Sequence, residues 1–326
     1  MTVNQALSTK NRLSEIISRH GVIIFPFILS LFLFILGEVI SDGFLEIHHV
    51  GAVLRTASFL GIVAIGQTLV IMTGGIDLSV GALITMGNVF ICMFMDGLDV
   101  NNFLGFGAVL LLGLGFGLLS GLGVTLLRIS PLVMTLAVGS LVTGVTLIFS
   151  QGAPKGLASP LLRQIGVGFF LDSVPIIVVI WVVLSILTIV LLGSTVYGRN
   201  LIYAGANEKA SVFSGVNVKL VKTITYVISG MTAVLAGAFM AGYTQTAFLG
   251  IGNEYVMWSI TAVVIGGTSL MGGKGSYLGT IAGAILLVLL ESILTLVRVP
   301  EAGRRIATGL IILIMITIYF RKSSKR

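Results

Sequence analysis

Charged residues are scarce in this chain. Asp, Glu, Lys and Arg make up 10% of its 326 residues and hydrophobic residues make up 56%, whereas about 25% of a soluble domain is charged. Such a chain cannot cover a water-facing surface, which excludes a soluble globular protein. The single cysteine, Cys92, excludes an internal disulfide framework. One cysteine and three histidines give no zinc-type spacing, so neither a metal nor a cofactor is predicted.

Long uncharged apolar runs are present instead, such as 56–76, 100–127, 173–198 and 223–253. Each reaches the about 20 residues that a helix needs to cross hydrocarbon. The sequence therefore predicts an all-α integral membrane protein, one transmembrane domain over 1–326 with tails at 1–20 and 321–326. About ten transmembrane helices are predicted, near 21–40, 52–72, 78–95, 104–127, 131–149, 174–193, 220–243, 254–271, 276–297 and 304–320.

The basic residues are unevenly distributed between these spans. With both termini in the cytoplasm, 13 of the 19 basic residues lie on the inner side, as the positive-inside rule requires. The net charge of +7 then indicates membrane orientation rather than a nucleic-acid partner. The basic start before Gly21 resembles a secretory signal, but no cleavage pattern follows, so a retained first helix is predicted. The protein is therefore expected to lie in a membrane, with lipid as a partner.

Two glycine pairs interrupt the apolar pattern with the same spacing. Gly74-Gly75 is followed by Gly81, and Gly272-Gly273 is followed by Gly279. Related breaks in two halves of a transporter indicate its moving or binding parts, so these loops are candidate gates.

The first of these breaks also carries Asp77 and Ser79. Asp77 is expected to cap the next helix. The alternative is that this acid lines the translocation path, because ionisable residues at membrane depth are usually functional.

A third glycine pattern lies in the fourth span. Gly113, Gly117 and Gly121 form two overlapping G-x-x-x-G units on one helix face. They predict close helix packing, and a role in rocking motions is the alternative.

The inner segment 194–219 predicts a short surface helix. Asn207 suits its N-cap and Gly215 its C-terminal stop. Ala210 and Phe213 share one face, which could insert into a groove on a cytosolic partner. The alternative is an amphipathic connector that rests on lipid.

A few polar residues and one tryptophan are candidates for a substrate path. Gln67, Asn88 and Glu254 offer hydrogen-bond donors and acceptors for a polar solute, although Gln67 and Asn88 could instead join helices. Trp258 could stack on the path or anchor its helix at the membrane interface.

Glu254 and Glu291 are expected to be stabilised in different ways. Glu254 is expected near the start of its helix, where the helix dipole favours a carboxylate. Glu291 is expected to pair with Arg298 or Arg55.

Three separated stretches resemble one known family. They are Gly74-Gly75-Ile76-Asp77-Leu78-Ser79-Val80-Gly81; Gly198-Arg199, Gly205, Asn207, Ala210, Ser214-Gly215-Val216, Lys222, Tyr226 and Ser229-Gly230; and Val263-Val264-Ile265-Gly266-Gly267-Thr268-Ser269-Leu270 with Gly272-Gly273-Lys274-Gly275. They resemble the ribose-type permeases of bacterial ABC importers, related more distantly to branched-chain amino acid permeases. The sequence departs from that pattern around Trp258, where small apolar residues are more common.

The resemblance implies a ten-helix permease of the vitamin-B12-importer-like (type II) architecture that moves a pentose or hexose. It implies a bacterial inner membrane as the location and partners of three kinds: two ABC ATPase subunits, a periplasmic or lipoprotein substrate-binding protein, and a second permease copy or paralogue. It also implies that the inner segment couples to the ATPase through Arg199, Ala204, Gly205, Asn207, Glu208, Ala210, Phe213, Ser214 and Gly215.

The sequence also bears on an ATP-binding enzyme, a secondary transporter and a channel as alternative functions. Gly267 to Lys274 imitates a phosphate loop but lacks lysine directly after the second glycine followed by Ser or Thr, so the chain itself is not expected to bind ATP or act as an enzyme. An ion-coupled secondary transporter has a similar span count but needs buried carboxylates or an ion cage. A passive channel is the third possibility. Within the importer class, autoinducer-2, a nucleoside or a branched-chain amino acid is the alternative substrate.

Overall fold

The computed structural model describes residues 24–323, and this part of the chain is built from helices. The helices are α1 (Ile24–Ile40), α2 (Ile47–Met72), α3 (Val80–Met95), α4 (Asn102–Thr125), α5 (Pro131–Ser150), α6 (Pro160–Val167), α7 (Ile176–Ser194), α8 (Val196–Ala206), α9 (Glu208–Phe213), α10 (Val218–Thr244), α11 (Asn253–Ile265), α12 (Tyr277–Leu296) and α13 (Glu301–Ser323). One 3₁₀ turn, Asp99–Asn101, precedes α4. A small antiparallel hairpin pairs β1 (Phe169–Phe170) with β2 (Val174–Pro175).

Local sequence explains several of the helix starts. Ser130 precedes Pro131, which occupies the first turn of α5, where its missing N–H costs nothing. The Ser159 hydroxyl oxygen accepts from the N–H of Leu162 at the start of α6. The Asn217 side chain accepts from Leu220 at the start of α10. Each acceptor satisfies one of the N–H groups that a helix leaves free at its N-terminus.

Six of the described helices are long and apolar enough to cross a membrane by length and composition. They are α2, α4 with its 3₁₀ turn, α5, α7, α10 and α12. The all-α membrane fold predicted from composition is thus present.

Each of the ten predicted spans also corresponds to a helix, although the described part of the first begins at Ile24. The predicted residues 21–23, the tail at 1–20 and residues 324–326 of the predicted tail 321–326 lie outside the described residues, whereas 321–323 belong to α13.

One predicted span is wrong in its second half. The interval 254–271 was expected to be helical throughout, but α11 ends at Ile265. Residues from Gly266 onward form turns, and Gly267 has a φ of +85°, which a continuing α-helix does not allow. Beyond the turn, Thr268 and Ser269 are buried, whereas Met271 is exposed. Hydropathy alone did not reveal the turn at Gly266 and Gly267.

Helix α10 lies at the centre of the bundle, where it packs against α2, α3 and α4. The glycine stripe of α4 faces it. A methyl group placed on Gly117 would lie 2.6 Å from the Tyr226 carbonyl oxygen, and one on Gly121 would lie 2.9 Å from the Thr223 Cα. The predicted close packing is therefore confirmed, since the two backbones approach only because side chains are absent.

Burial differs sharply between the helices. In α2, 83% of the most apolar stretch is buried, whereas α5 and α7 each bury 22% of theirs. The exposed side chains of α5 and α7 are almost all apolar, for example Leu136, Ile148 and Ile186. These helices therefore present surfaces suited to lipid or to another apolar helix.

Candidate functional site

The segment 194–219 forms two helices rather than the one predicted. Helix α8 starts at a cap in which the Thr195 hydroxyl accepts from the N–H of Gly198 over 3.1 Å. Helix α9 follows after Asn207, whose extended backbone separates the two helices. The Asn207 side chain accepts from Ala210 N over 3.0 Å, and Gly215 has a φ of +81°. The predicted N-cap and C-terminal stop of the short helix are thus confirmed.

Helix α9 presents an apolar tip to solvent. Phe213 is 92% exposed, Val212 is also exposed, and Ala210 lies on the same open surface. On the opposite side, Ser211 is buried and its hydroxyl donates to the Asn207 carbonyl. A phenylalanine this exposed is suited to a contact that the chain itself does not provide. Its assignment to an ATPase or to lipid stays a prediction.

Polar contacts fix this segment to α10. The Lys222 ammonium lies 2.7 Å from the Glu208 carboxylate, which joins α10 to α9. The Tyr197 hydroxyl of α8 lies 2.9 Å from the Thr225 hydroxyl of α10. Burial raises the pKa of Tyr197 to about 12, so its hydroxyl stays neutral and available as a hydrogen-bond partner. Arg199 is exposed, whereas Ala204 is buried beside α10.

The two glycine breaks meet each other and α8 at one point. The Gly273 N–H donates to the Met72 carbonyl over 2.9 Å. A methyl group on Gly205 would lie 2.6 Å from Gly273 N, and one on Gly272 would lie 2.9 Å from Gly74 N. We call these five residues the glycine junction: Met72, Gly74, Gly205, Gly272 and Gly273.

Close backbone contact explains why glycine occupies these positions. Gly74, Gly272 and Gly273 also have positive φ, which residues with a Cβ rarely adopt. The sequence predicted both breaks and Gly205 as functional positions. It did not predict that they touch.

Asp77 is buried next to the first break and all of its polar contacts are internal. Its carboxylate accepts from Ser79 N over 2.9 Å and from the Ser79 hydroxyl over 2.6 Å. It also accepts from the Ser229 hydroxyl of α10 over 2.7 Å. The first bond closes a local turn at Ser79, the N-cap residue of α3, and no described side chain caps that helix, so the predicted capping role of Asp77 is wrong. The bond from Ser229 ties the break to α10. A buried carboxylate requires such donors.

Gly75 and Thr135 complete this loop. A methyl group on Gly75 would lie 2.5 Å from the Tyr226 hydroxyl, so the chain passes close to that ring. The Thr135 hydroxyl oxygen of α5 accepts from Leu78 N over 3.0 Å. Sequence reasoning gave Thr135 no role, because a threonine inside an apolar span carries no signal of its distant partner.

Gln67 and Asn88 are both fully buried inside the bundle. Asn88 accepts from Phe248 N over 2.8 Å, so it joins α3 to the loop after α10. The Gln67 amide has no hydrogen-bond partner among the described residues. Neither residue lines the cleft between α11, α12 and α13 that contains Glu254 and Trp258. The four predicted path residues therefore do not form one site.

Glu254 and Trp258 line an open cleft between α11, α12 and α13, with a volume of about 420 Å³. We call it the α11–α13 cleft. Its walls also contain Asn253, Met257, Glu291, Glu301, Arg304, Arg305, Thr308 and Gly309. Glu254 lies in the first turn of α11, as predicted. Trp258 is half-buried, and its ring centroid lies 5.9 Å from that of Tyr255.

Ion pairs connect the three helices around this cleft. The Arg305 guanidinium contacts Glu254 at 2.5 Å and Glu301 at 2.8 Å. Glu291 faces Arg304, with 3.8 Å between Oε1 and Nε.

The predicted pairing of Glu291 with Arg298 or Arg55 is therefore wrong. The chain reverses after α12 and returns Arg304 beside Glu291. Arg298 occupies the reversal with a φ of +59°. Arg55 donates to the Val167 carbonyl and lies over the Phe169 ring.

The site contains no metal-type cluster. Within residues 24–323, no group of three His, Cys, Asp or Glu side chains is placed to hold an ion. The arrangement offers hydrogen bonding, charge and one aromatic face, which are the means of binding and moving a polar solute.

Known proteins resemble most of this chain. The family model described as "Branched-chain amino acid transport system / permease component" matches residues 50–316. The ribose import permease protein of Bacillus subtilis is 36% identical over 92% of this chain and 93% of its own length. The ribose import permease protein of Escherichia coli K12 is 33% identical over 87% of this chain and 89% of its own length.

A permease with another named substrate is also similar. The autoinducer 2 import system permease protein of Yersinia pseudotuberculosis is 32% identical over 86% of this chain and 80% of its own length. No solved structure matches the chain at a significant level. The family model covers most of the sequence, and the ribose import permeases are more than 30% identical over nearly their full length. This chain therefore belongs to the family of permease components of branched-chain amino acid transport systems.

Proposed function

We propose that the chain is the membrane-spanning permease of an ATP-driven importer for a small neutral sugar such as ribose. The observation that carries this is the direct backbone contact between α8 and both glycine breaks, next to the exposed tip of α9. A protein that pushes on this tip acts on a rigid surface joined to both candidate gates. The similarity to ribose import permeases supports the sugar.

The proposed topology has ten spans with both termini in the cytoplasm, in a vitamin-B12-importer-like type II arrangement. The loops support it because they gather at two ends. The glycine junction and α8 lie at one end. At the other, Gly97 N donates to Leu157 O, and Leu157 pairs with Thr246. The loops at the end with the glycine junction carry the excess of basic residues, which supports a cytoplasmic position for that end.

The proposed partners fit the exposed tip of α9 and the exposed apolar faces of the helices. ABC ATPase subunits would bind the tip of α9 and supply the energy. A periplasmic or lipid-anchored binding protein would deliver the sugar at the opposite end. A second permease copy or paralogue would cover one of the exposed apolar faces, with lipid on the others.

In operation, ATP-driven closure of the ATPase subunits would displace α9 and α8 together. The displacement reaches the α2–α3 break through Gly205 and Met72, and the α11–α12 break through Gly273. Asp77 holds the first break to α10 through Ser229, so α10 would move with it. Both breaks thus respond to one motion.

The test is reconstitution of the full chain with its ATPase and binding protein in proteoliposomes. We expect ribose uptake that requires ATP and all three components. Mass spectrometry of the ligand that copurifies with the binding protein identifies the sugar, or replaces it with autoinducer-2, a nucleoside or a branched-chain amino acid. Uptake by the chain alone on an ion gradient would instead establish a secondary transporter. ATP-independent flux of the sugar in both directions would establish a channel.

A further inference from the structure

We infer that the α11–α13 cleft is a sugar-binding site within the permease itself, a transit site distinct from the separate binding protein. This inference rests on the proposed importer function and adds where the sugar is held. The volume of the cleft, about 420 Å³, lies within the range of about 300–1,000 Å³ seen for small-molecule sites.

The charges around the cleft favour a neutral ligand. Glu254, Glu291 and Glu301 supply three negative charges, while Arg304 and Arg305 supply two positive charges. The net charge is therefore −1, which disfavours phosphorylated sugars and other anions. Carboxylates accept and guanidinium groups donate, so together they match hydroxyl groups, which do both.

Arg304 retains unused hydrogen-bonding capacity in this arrangement. Its Nε is buried and donates no hydrogen bond, because the Glu291 oxygen lies 3.8 Å away. A buried donor without a partner costs free energy unless a ligand or water occupies the space. A sugar hydroxyl placed between Arg304 and Glu291 would accept from one residue and donate to the other.

Trp258 supplies the apolar part of the site. It lines the cleft one helical turn after Glu254, and its half-buried ring is steadied by Tyr255. Sugars present a C–H face as well as hydroxyl groups, and an aromatic ring can pack against that face. The family resemblance places small apolar residues around this position, so the ring is a feature of this chain.

The position of α11 connects the cleft to the glycine junction. The helix runs from Asn253 at the cleft to Ile265, and the turn that follows reaches Gly272 and Gly273. Arg305 bridges Glu254 of α11 and Glu301 of α13. A displacement of α11 would therefore change the cleft and the junction together, so the sugar would be released when the junction moves.

Tryptophan fluorescence of the purified full chain in lipid nanodiscs tests the site directly. The chain has two tryptophans, so the difference between wild type and Trp258→Phe isolates the signal of Trp258. D-ribose should change that difference signal saturably, while ribose 5-phosphate and L-leucine should not. Glu291→Gln and Arg304→Gln should each weaken the response about tenfold, the effect of one lost charge-assisted hydrogen bond. Asp172→Asn, an exposed carboxylate in the hairpin, is the matched control and should bind ribose as the wild type does.

Failure of this inference is separable from failure of the proposed function. A ribose response that is the same in wild type and Trp258→Phe overturns the site, as does one that follows the lipid composition. ATP-dependent ribose uptake by the reconstituted importer tests the function independently. Normal uptake by Glu291→Gln and Arg304→Gln would leave the importer intact and remove the transit site.

Discussion

Gly273 donates its backbone N–H to the Met72 carbonyl, so two chain breaks about 200 residues apart in sequence are bonded directly. Gly205 of α8 lies against both partners of this bond. The packing leaves no space for a side chain at Gly205.

Gly205→Ala should disturb the glycine junction. Its methyl group would lie 2.6 Å from Gly273 N and closer still to the Met72 carbonyl oxygen. We expect a loss of about 1–3 kcal/mol, the usual cost of overpacking. Thermal unfolding of the purified chain measures it. Gly107→Ala is the matched control, because nothing lies within 4 Å of the added methyl and helical alanine is favoured. Equal melting temperatures for both variants would contradict the close packing.

Phe213→Asp should abolish binding of the ATPase while the chain still inserts into the membrane. Phe213 is 92% exposed and contributes little to the fold, but an aromatic anchor in an interface is worth about 2 kcal/mol or more. Copurification of tagged chain and ATPase measures the association. Leu171→Asp, also highly exposed but in the hairpin at the opposite end, should leave it unchanged. Normal assembly with Phe213→Asp would refute the role of α9.

Asp77→Ala and Ser229→Ala should be energetically coupled. The two side chains share a buried hydrogen bond of 2.7 Å, so a double-mutant cycle should give a coupling of about 1–3 kcal/mol. Unfolding of the four proteins in the cycle provides the measurement. A second cycle with Ser185→Ala, whose hydroxyl donates to the Trp181 carbonyl instead, should give no coupling to Asp77. Independent effects in the first cycle would exclude the contact.

The Glu208–Lys222 ion pair should set the orientation of α9 rather than the stability of the fold. Because Glu208 is more than half exposed, its loss should cost only about 0.5–1 kcal/mol. Lys222→Glu should lower ATP-driven uptake through repulsion with Glu208. The charge swap Glu208→Lys with Lys222→Glu should restore part of the uptake. If the swapped protein is no more active than Lys222→Glu alone, the pair does not orient α9.

Local features were predictable from the sequence, and distant contacts were not. The cap at Asn207 and the stop at Gly215 each depend on residues within a few positions, so their chemistry can be read directly. The identity of the partner of Glu291 depends on how the chain reverses between α12 and α13. That reversal brings forward Arg304, which the sequence gave no reason to prefer over Arg298.

The glycine junction illustrates the same limit on a larger scale. Glycine pairs with positive φ are visible as breaks in an apolar pattern. Their meeting with Gly205 depends on how α2, α8 and α11 pack, which no spacing in the sequence encodes. The end of α11 at Ile265 was missed because the apolar pattern continues to Leu270 and Met271, although the backbone turns at Gly266 and Gly267.

The shortness of α11 limits how this protein can move. Thirteen residues extend about 20 Å, less than the about 30 Å of hydrocarbon, so in the proposed ten-span topology the turn after Ile265 would supply part of the crossing. Non-helical backbone survives at that depth only when its polar groups are satisfied. Here Ser269 N bonds to Lys274 O and Gly273 N to Met72 O. Breaking one of these bonds alone would leave a buried amide without a partner, so we expect the turn to exchange both bonds together when it moves.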